Sequence, residues 1–192
     1  MKTTGLKLII VLLLLGLLHI TASALPTDGV SLTVNGKTVQ RAGNSFSMLS
    51  ACSQNQAVIE VTAGPLATIQ INGVAQNPAT VNLAVYGNNT VNIMVTPQGG
   101  NPQNYTLIVN KPIPFHSIVE QRWNDVLVVN NNPANNGGYS FTSFKFFRNG
   151  LLVGTGQNWT NDGPLNPSDV FYVEMTANNV SGVIRSCLSI EL

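Results

Sequence analysis

Charged residues are scarce in this sequence. The 192-residue chain contains nine Lys and Arg residues and eight Asp and Glu residues. Two of the cations, Lys2 and Lys7, lie at the amino terminus, and the others are scattered along the chain. A protein that binds nucleic acid presents clustered cations that contact about six to ten phosphates. The sequence has no such cluster, so we predict that nucleic acid is not a partner.

Groups that carry out catalysis are equally few. Acid–base and nucleophilic catalysis require titratable groups within hydrogen-bond reach of one another. After residue 24 the sequence has one histidine, His116, and its closest carboxylate pairs are Glu120 with Asp125 and Asp162 with Asp169. The GxSxG, HExxH and glycine-rich phosphate-binding motifs are missing from the sequence. We therefore predict that the protein is not an enzyme and uses no cofactor.

Only one long apolar run occurs, at residues 8–18. It follows Lys2 and Lys7 and precedes Ala22-Ser23-Ala24, a small-x-small cleavage site. This pattern predicts a secretory signal peptide over residues 1–24. The run is shorter than the roughly 20 apolar residues of a transmembrane helix. We expect the mature protein to be secreted or held at the cell surface, and to meet the membrane only through its transient signal peptide.

The rest of the chain consists of short apolar segments separated by Asn, Gly and Pro, with 17 Gly and 10 Pro in all. In VNIMV, residues 91–95, apolar residues occupy alternate positions, which is typical of a half-buried strand. Asn35-Gly36 lies between two such segments and favours a tight hairpin. No stretch of about 12 residues in the mature chain has a sustained helical period. The sequence therefore predicts an all-β fold.

The segment KPIP at residues 111–114 interrupts the strand pattern. Proline removes a backbone donor and biases the residue before it toward extended structure. We therefore predict two domains, residues 25–111 and 115–192, joined by a stiff proline linker at 112–114. The number of short strands on each side suits a small β-sandwich.

The first predicted domain carries a family resemblance in three segments, which are LTVNG at 32–36, YGNNTVNIMV at 86–95 and NYTLIV at 104–109. Through them, residues 28–111 resemble the cadherin-like β-sandwich domain of bacterial cell-surface proteins. Despite the name of that domain, the resemblance implies no calcium, since acid-rich motifs are missing around Pro112.

The second predicted domain, residues 115–192, is similar to an immunoglobulin-like module. The similarity rests on QRWNDVL at 121–127, FKFFRNG at 144–150 and LNPSDVFYV at 165–173. Together the two resemblances imply tandem immunoglobulin-like β-sandwiches in an extracytoplasmic spacer, adhesin or binding component. They attach no activity to either domain.

Aromatic residues of the second domain are the candidate binding residues. Trp159 and Tyr139 lie in polar, glycine-rich segments and are candidates for carbohydrate or protein binding, with core packing as the alternative. Trp123 is expected to pack in the core. On a regular strand Phe141 and Phe147 share the face opposite Phe144 and Phe146, so we predict that they cover an interaction surface.

The two cysteines, Cys52 and Cys187, lie in different predicted domains. In an exported chain they can form a disulfide, which would lock the domains together. The apolar alternation around Cys187 fits a buried free thiol equally well. Asn and Asp residues within 161–169 could offer oxygen ligands, but their spacing does not match an EF-hand. We interpret them as turn residues and predict no metal site.

These features predict a non-catalytic binding, adhesion or spacer module at the cell exterior. Its partner is an unknown protein or glycan. A secreted carbohydrate-binding module is the alternative, and it would depend on Trp159.

Overall fold

The structure is a computed structural model that describes residues 28–190. Regular structure in this range is almost entirely β-strand, with one helix of four residues. The predicted all-β sandwich class is confirmed. The predicted signal peptide, residues 1–24, lies outside the described residues.

The first half of the described chain forms two packed sheets. Its strands are β1 (Ser31–Val34), β2 (Lys37–Thr38), β3 (Gln40–Ala42), β4 (Ser45–Leu49), β5 (Gln56–Thr62), β6 (Thr68–Ile71), β7 (Ala79–Asn82), β8 (Gly87–Thr96) and β9 (Gln103–Lys111). One sheet has the order β2-β1-β5-β7 and the other β3-β4-β9-β8-β6. Neighbouring strands are antiparallel, except that β4 and β9 run parallel.

Alternating burial brings these two sheets together. In β5, Ala57, Ile59 and Val61 are buried and the residues between them are exposed. The inward faces of both sheets meet in a mostly aliphatic core. The turn between β1 and β2 uses Asn35 and Gly36 with φ values of 50° and 76°, the positive angles that a tight hairpin needs.

The second half also forms two sheets. After residue 111 come helix α1 (Phe115–Ile118) and strands β10 (Val119–Arg122), β11 (Val126–Val129), β12 (Phe141–Arg148), β13 (Leu151–Thr155), β14 (Asn158–Thr160), β15 (Phe171–Ala177) and β16 (Val180–Arg185). One sheet has the order β10-β11-β14 and the other β13-β12-β15-β16, all antiparallel. Their inner faces enclose a second core with many aromatic side chains.

The structure differs from the sequence prediction at Phe141. The pairing of β12 with β15 shifts between Phe141 and Ser143. Because a bulge of this kind inserts one residue, it reverses the face on which the next side chains point. Phe141 is therefore buried with Phe146 in the second core, at 5% and 0% exposure. Phe147 remains on the outer face, half-buried.

The segment predicted as a linker is attached to the second sandwich. Ile113 is 3% exposed. Its N–H donates to the carbonyl of Arg185 at 2.9 Å, and its carbonyl accepts a hydrogen bond from the N–H of Cys187 at 2.7 Å. These bonds hold the end of the first sandwich against the residues that follow β16.

Further contacts join the two sandwiches. Cys52 and Cys187 form a disulfide, so the structure contains the bridged alternative. Asn110 at the end of β9 donates from Nδ2 to the carbonyl of Val183 in β16 at 2.6 Å. A covalent bond and a set of hydrogen bonds therefore restrain the angle between the sandwiches.

Candidate functional site

Two of the titratable residues considered for catalysis, His116 and Glu120, have partners within the protein. The Nε2 atom of His116 donates to the carbonyl of Ser189 at 2.8 Å. Glu120 forms an exposed ion pair with Arg122 at 2.8 Å. Within residues 28–190, no three His, Cys, Asp or Glu side chains are grouped closely enough to hold a metal ion.

Polar residues between β14 and β15 hold turns together. Asp169 forms an ion pair with Arg148 and accepts a hydrogen bond from Asn149 at 2.7 Å. The hydrogen bonds from Arg148 and then Asn149 lower the pKa of Asp169 below its ordinary value. Asn161 donates from Nδ2 to the carbonyl of Gly163 at 3.0 Å. Asn161 and Asp169 therefore bind their own loop and its neighbours.

Tyr139, a predicted binding residue, is turned inward. It is 7% exposed, and its ring stacks on Phe141 with centroids 5.6 Å apart. Its hydroxyl accepts a hydrogen bond from the N–H of Tyr86 at 3.2 Å and lies 3.3 Å from the carbonyl of the same residue. Burial raises the pKa of Tyr139. Tyr139 thus joins the two sandwiches and presents no ring to a ligand.

Trp159, the other predicted binding residue, packs against the second core. Its ring lies 5.8 Å from that of Phe171. On its other side is Gly154, where a Cβ atom would collide with the indole. The glycine-rich setting of Trp159 therefore makes room for packing, which is the alternative left open by the sequence.

The outer face of the β13-β12-β15-β16 sheet carries a stack of partly exposed side chains. Phe147 and Tyr172 are cross-strand neighbours whose rings lie parallel, with centroids 4.5 Å apart. The guanidinium carbon of Arg185 lies 3.8 Å from the centre of the Tyr172 ring. Leu152, paired with Phe147 on the edge strand β13, is 54% exposed. We call these four residues the aromatic face.

A second surface lies on the opposite sheet, around Trp123. This residue is 83% exposed, the highest value among the exposed large apolar side chains of residues 28–190. Trp123, Val126 and Val128 line an open groove of about 450 Å³, together with Arg122, Gln157 and Asn158. These six residues form what we call the tryptophan groove. It lies on the outer face of the β10-β11-β14 sheet, away from the second core.

The backbone holds Trp123 in this exposed position. Arg122 pairs with Val126 across the hairpin, which leaves a loop of three residues between β10 and β11. Trp123 takes a φ of 56°, a left-handed conformation that bulky residues rarely adopt. The carbonyls of Asn124 and Asp125 then accept hydrogen bonds at 2.7 and 2.8 Å from a neighbouring loop. The loop is anchored, and the indole projects from it.

Sequence reasoning missed Trp123 as a surface residue. The expectation of core packing rested on the usual role of tryptophan in small sandwiches. The signal in the sequence was the polar segment QRWND at 121–125. Apolar residues do not alternate with polar ones there, so the pattern does not place the Trp123 side chain on a buried face. Two short apolar strands separated by this polar segment indicate a hairpin tip.

Comparison with known proteins gives a family match in the first half of the chain. Residues 51–112 match the model of the cadherin-like β-sandwich domain family, so the predicted cadherin-like resemblance is confirmed over that range. No curated protein sequence matches the chain. A solved structure similar to this chain is the crystal structure of the four N-terminal Ig domains of Dscam1 isoform 4.44, with a TM-score of 0.30 and 12% identity. The match covers 84% of this chain and 45% of that one, so our chain spans less than half of its length.

In the part of the chain that the structure describes, no helix is both long enough and apolar enough to cross a membrane.

Proposed function

We propose that the protein is a non-catalytic adhesion or binding module outside the cytoplasm, which recognises a protein partner through the aromatic face. Four features support this proposal: the cadherin-like match, the two-sandwich architecture, the disulfide and the chemistry of the exposed side chains. The observation that carries it is the stack of Phe147, Tyr172 and Arg185 beside the exposed Leu152.

The location outside the cytoplasm follows from redox chemistry and from the predicted signal peptide. Disulfides persist in oxidising compartments and are rare where thiols are kept reduced. The Cys52–Cys187 bridge links the two sandwiches, so it would contribute to stability only after export. A protein with this bridge and the signal peptide predicted for residues 1–24 would be suited to the cell exterior.

The junction between the sandwiches supports a role in presenting a surface at a fixed distance. Asn110 donates from Nδ2 to the carbonyl of Val183 at 2.6 Å, and Asn88 donates from Nδ2 to the carbonyl of Ser181 at 3.2 Å. The N–H of Tyr86 donates to the hydroxyl of Tyr139 at 3.2 Å. Together with the disulfide, these bonds restrict bending between the halves. A restrained pair of domains loses less conformational entropy on binding than a flexible pair.

The aromatic face has the composition of a protein interface. Aromatic residues and Arg are enriched in such interfaces and supply many of their strongest contacts. Phe147 and Tyr172 are already stacked, so their side chains would lose little rotamer freedom when a partner covers them. Leu152 adds apolar area at the sheet edge, where an incoming strand can also pair with β13. A protein surface provides both kinds of contact.

Binding assays on surface variants test this function. Phe147→Ser and Leu152→Ser remove apolar area from the aromatic face. Val58→Ser is the matched control on the outer face of β5 in the first sandwich, where Val58 is 43% exposed. Binding is measured to immobilised extracellular-matrix proteins, and self-association by sedimentation velocity. We expect both face variants to weaken association at least tenfold and Val58→Ser to leave it unchanged.

Circular dichroism establishes that each variant is folded. Leu152 is more than half exposed, so Leu152→Ser keeps the test informative if Phe147→Ser lowers stability. If both folded variants associate as strongly as the unchanged protein, or if no protein partner and no self-association is found, the proposed function is wrong.

A further inference from the structure

We infer that the tryptophan groove is a binding site for an uncharged glycan. This site lies on a different sheet from the aromatic face, so the inference is independent of the proposed protein partner. It replaces Trp159 and Tyr139, whose rings are turned into the protein, by an aromatic residue that is open to solvent.

The position of Trp123 is unfavourable for the isolated protein. Its indole is 83% exposed, and its φ is 56°. Apolar area left in water forgoes the gain from burial, and a left-handed backbone strains a bulky side chain. Strained residues cluster at binding sites, where surrounding structure holds them in place. Here the hydrogen bonds of Asn124 and Asp125 supply that restraint.

Strain and exposure alone do not define the site, because Leu66 has both. Leu66 is 73% exposed with a φ of 63°. Trp123 differs in what lies next to it. Val126 and Val128 provide an apolar floor, and the indole stands beside them as a flat wall. The groove volume of about 450 Å³ lies in the usual range for small-ligand sites, about 300–1,000 Å³.

The rim of the groove is polar. Asn158 is exposed in β14, next to Val128 in the sheet. Gln157 uses its Nε2 atom to donate to the carbonyl of Val129 at 3.1 Å, which fixes the amide and leaves its oxygen as an acceptor. Arg122 donates to Glu120 with one of its nitrogens and has further N–H groups to offer. The groove thus combines an apolar floor and wall with hydrogen-bonding groups at its edge.

A sugar ring matches this arrangement. One face of a pyranose ring presents C–H groups that pack on an aromatic plane, and its equatorial hydroxyls point outward as donors and acceptors. Trp123 and the two valines would pack against the C–H face of the sugar. The polar residues at the rim would form hydrogen bonds with its hydroxyls. A purely apolar partner would leave the amides of Gln157 and Asn158 unsatisfied, which is costly.

The charge of the groove favours a neutral sugar over an acidic one. Arg122 is the one lining residue with a charge, and Glu120 lies 2.8 Å from it. The pair is close to neutral, so it attracts an anion weakly. The open shape of the groove allows the site to lie along a chain, which suits an internal segment of a polysaccharide.

Affinity electrophoresis in gels that contain cellulose derivatives, xylan, mannan or soluble starch tests the site, with titration calorimetry on the best oligosaccharide. We expect at least one neutral polysaccharide to retard the purified protein. Trp123→Ala should lower affinity at least tenfold, and Trp123→Phe should retain part of it. Leu66→Ala and Phe147→Ser should bind as the unchanged protein does.

Fluorescence gives a second readout. Trp123 is the exposed one of the two tryptophans, and Trp159 is packed, so a bound sugar should shift emission to shorter wavelength in the unchanged protein and not in Trp123→Ala. The inference is overturned if no neutral glycan binds, or if binding survives Trp123→Ala. It is also overturned if only acidic polysaccharides bind and salt abolishes that binding. Loss of protein binding in Phe147→Ser with glycan binding intact would show that the two surfaces act separately.

Discussion

The two sandwiches share a plan of two packed sheets but use aromatic residues differently. Ten of the thirteen aromatic residues lie after residue 111. In the first sandwich Phe46 and Tyr105 are both buried. In the second, aromatic rings fill the core and also reach the surface at Trp123 and Phe147. An aliphatic core is therefore sufficient for this architecture, and the additional rings of the second sandwich are available for recognition.

Polar groups show the same contrast. In the first sandwich, Arg41 donates two hydrogen bonds of 2.6 Å to Asp28, and the hydroxyl of Tyr105 donates to the same carboxylate at 2.8 Å. The guanidinium carbon of Arg41 also lies 5.1 Å from the centre of the Tyr105 ring. Arg41, Asp28 and Tyr105 therefore form hydrogen bonds and a cation–π contact with one another. In the tryptophan groove the same kinds of groups face solvent.

Removal of the disulfide should have the largest effect on stability, because the bridge joins the two sandwiches. The bridge joins residues 135 positions apart, and in the chain-entropy model a loop of this length corresponds to about 4–5 kcal/mol. We expect Cys52→Ser with Cys187→Ser to lower the free energy of unfolding by roughly that amount. Both tryptophans lie in the second sandwich, so their fluorescence reports on that half alone.

Denaturant titration of the double variant should therefore give two transitions. Far-ultraviolet circular dichroism follows both sandwiches, and tryptophan fluorescence follows the second. Reducing agent should convert the unchanged protein to the behaviour of the variant and leave the variant itself unaffected. Superimposable curves for the variant and the unchanged protein would show that the bridge does not contribute to the junction.

Neutralising Asp28 should have a smaller effect, confined to the first sandwich. The hydrogen bonds of Arg41, with those of Val30 and Tyr105, hold the pKa of Asp28 well below its usual range. Its carboxylate therefore stabilises the fold above the unfolded-state pKa of about 4, and this stability is lost as pH falls toward the lower folded-state value. At pH 7 we expect Asp28→Asn to cost about 1.5–3 kcal/mol.

The measurement is the free energy of unfolding at pH 7, 4 and 2. The difference between Asp28→Asn and the unchanged protein should shrink as the solution is acidified. Glu120→Gln is the control in the second sandwich, since the Glu120–Arg122 pair is more than half exposed on both sides. An exposed pair contributes about 0–1 kcal/mol. A pH-independent cost for Asp28→Asn would contradict the role given to its charge.

Local patterns were enough to predict most of the strand structure. Alternation in β5 and β8 and the Asn35-Gly36 turn depend on residues close together in the sequence. The class of fold follows from them, because faces that are apolar at every second residue must be covered by another sheet. The cadherin-like resemblance agrees with this class, and residues 51–112 match the model of that domain family.

The candidate sites depended on distant contacts, and these were less predictable. A bulge turns Phe141 inward, and the partner of the Tyr139 hydroxyl is Tyr86 in the other sandwich. The choice between a disulfide and a free thiol at Cys187 also rests on a residue 135 positions away. None of these three features is encoded in a short sequence window. Trp123 differs from them, because the polar segment QRWND at 121–125 indicates a hairpin tip.

The smallest expected effect comes from removing backbone strain at Leu66 and Trp123, the two bulky residues with positive φ among residues 28–190. Glycine tolerates that conformation, so Trp123→Gly and Leu66→Gly remove strain of about 1–2 kcal/mol. The greater freedom of glycine in the unfolded chain offsets part of the gain, by about 0.4–1 kcal/mol. We expect both variants to be more stable than the unchanged protein by about 0.5–1 kcal/mol in denaturant titrations, but only Trp123→Gly to lose glycan binding.

Equal gains in stability with loss of glycan binding in Trp123→Gly alone would mean that the second sandwich gives up stability at Trp123 to keep a binding surface. If Trp123→Gly destabilises the protein while Leu66→Gly does not, the indole contributes to the fold, and the contrast between a supporting first sandwich and a recognising second one fails at this residue.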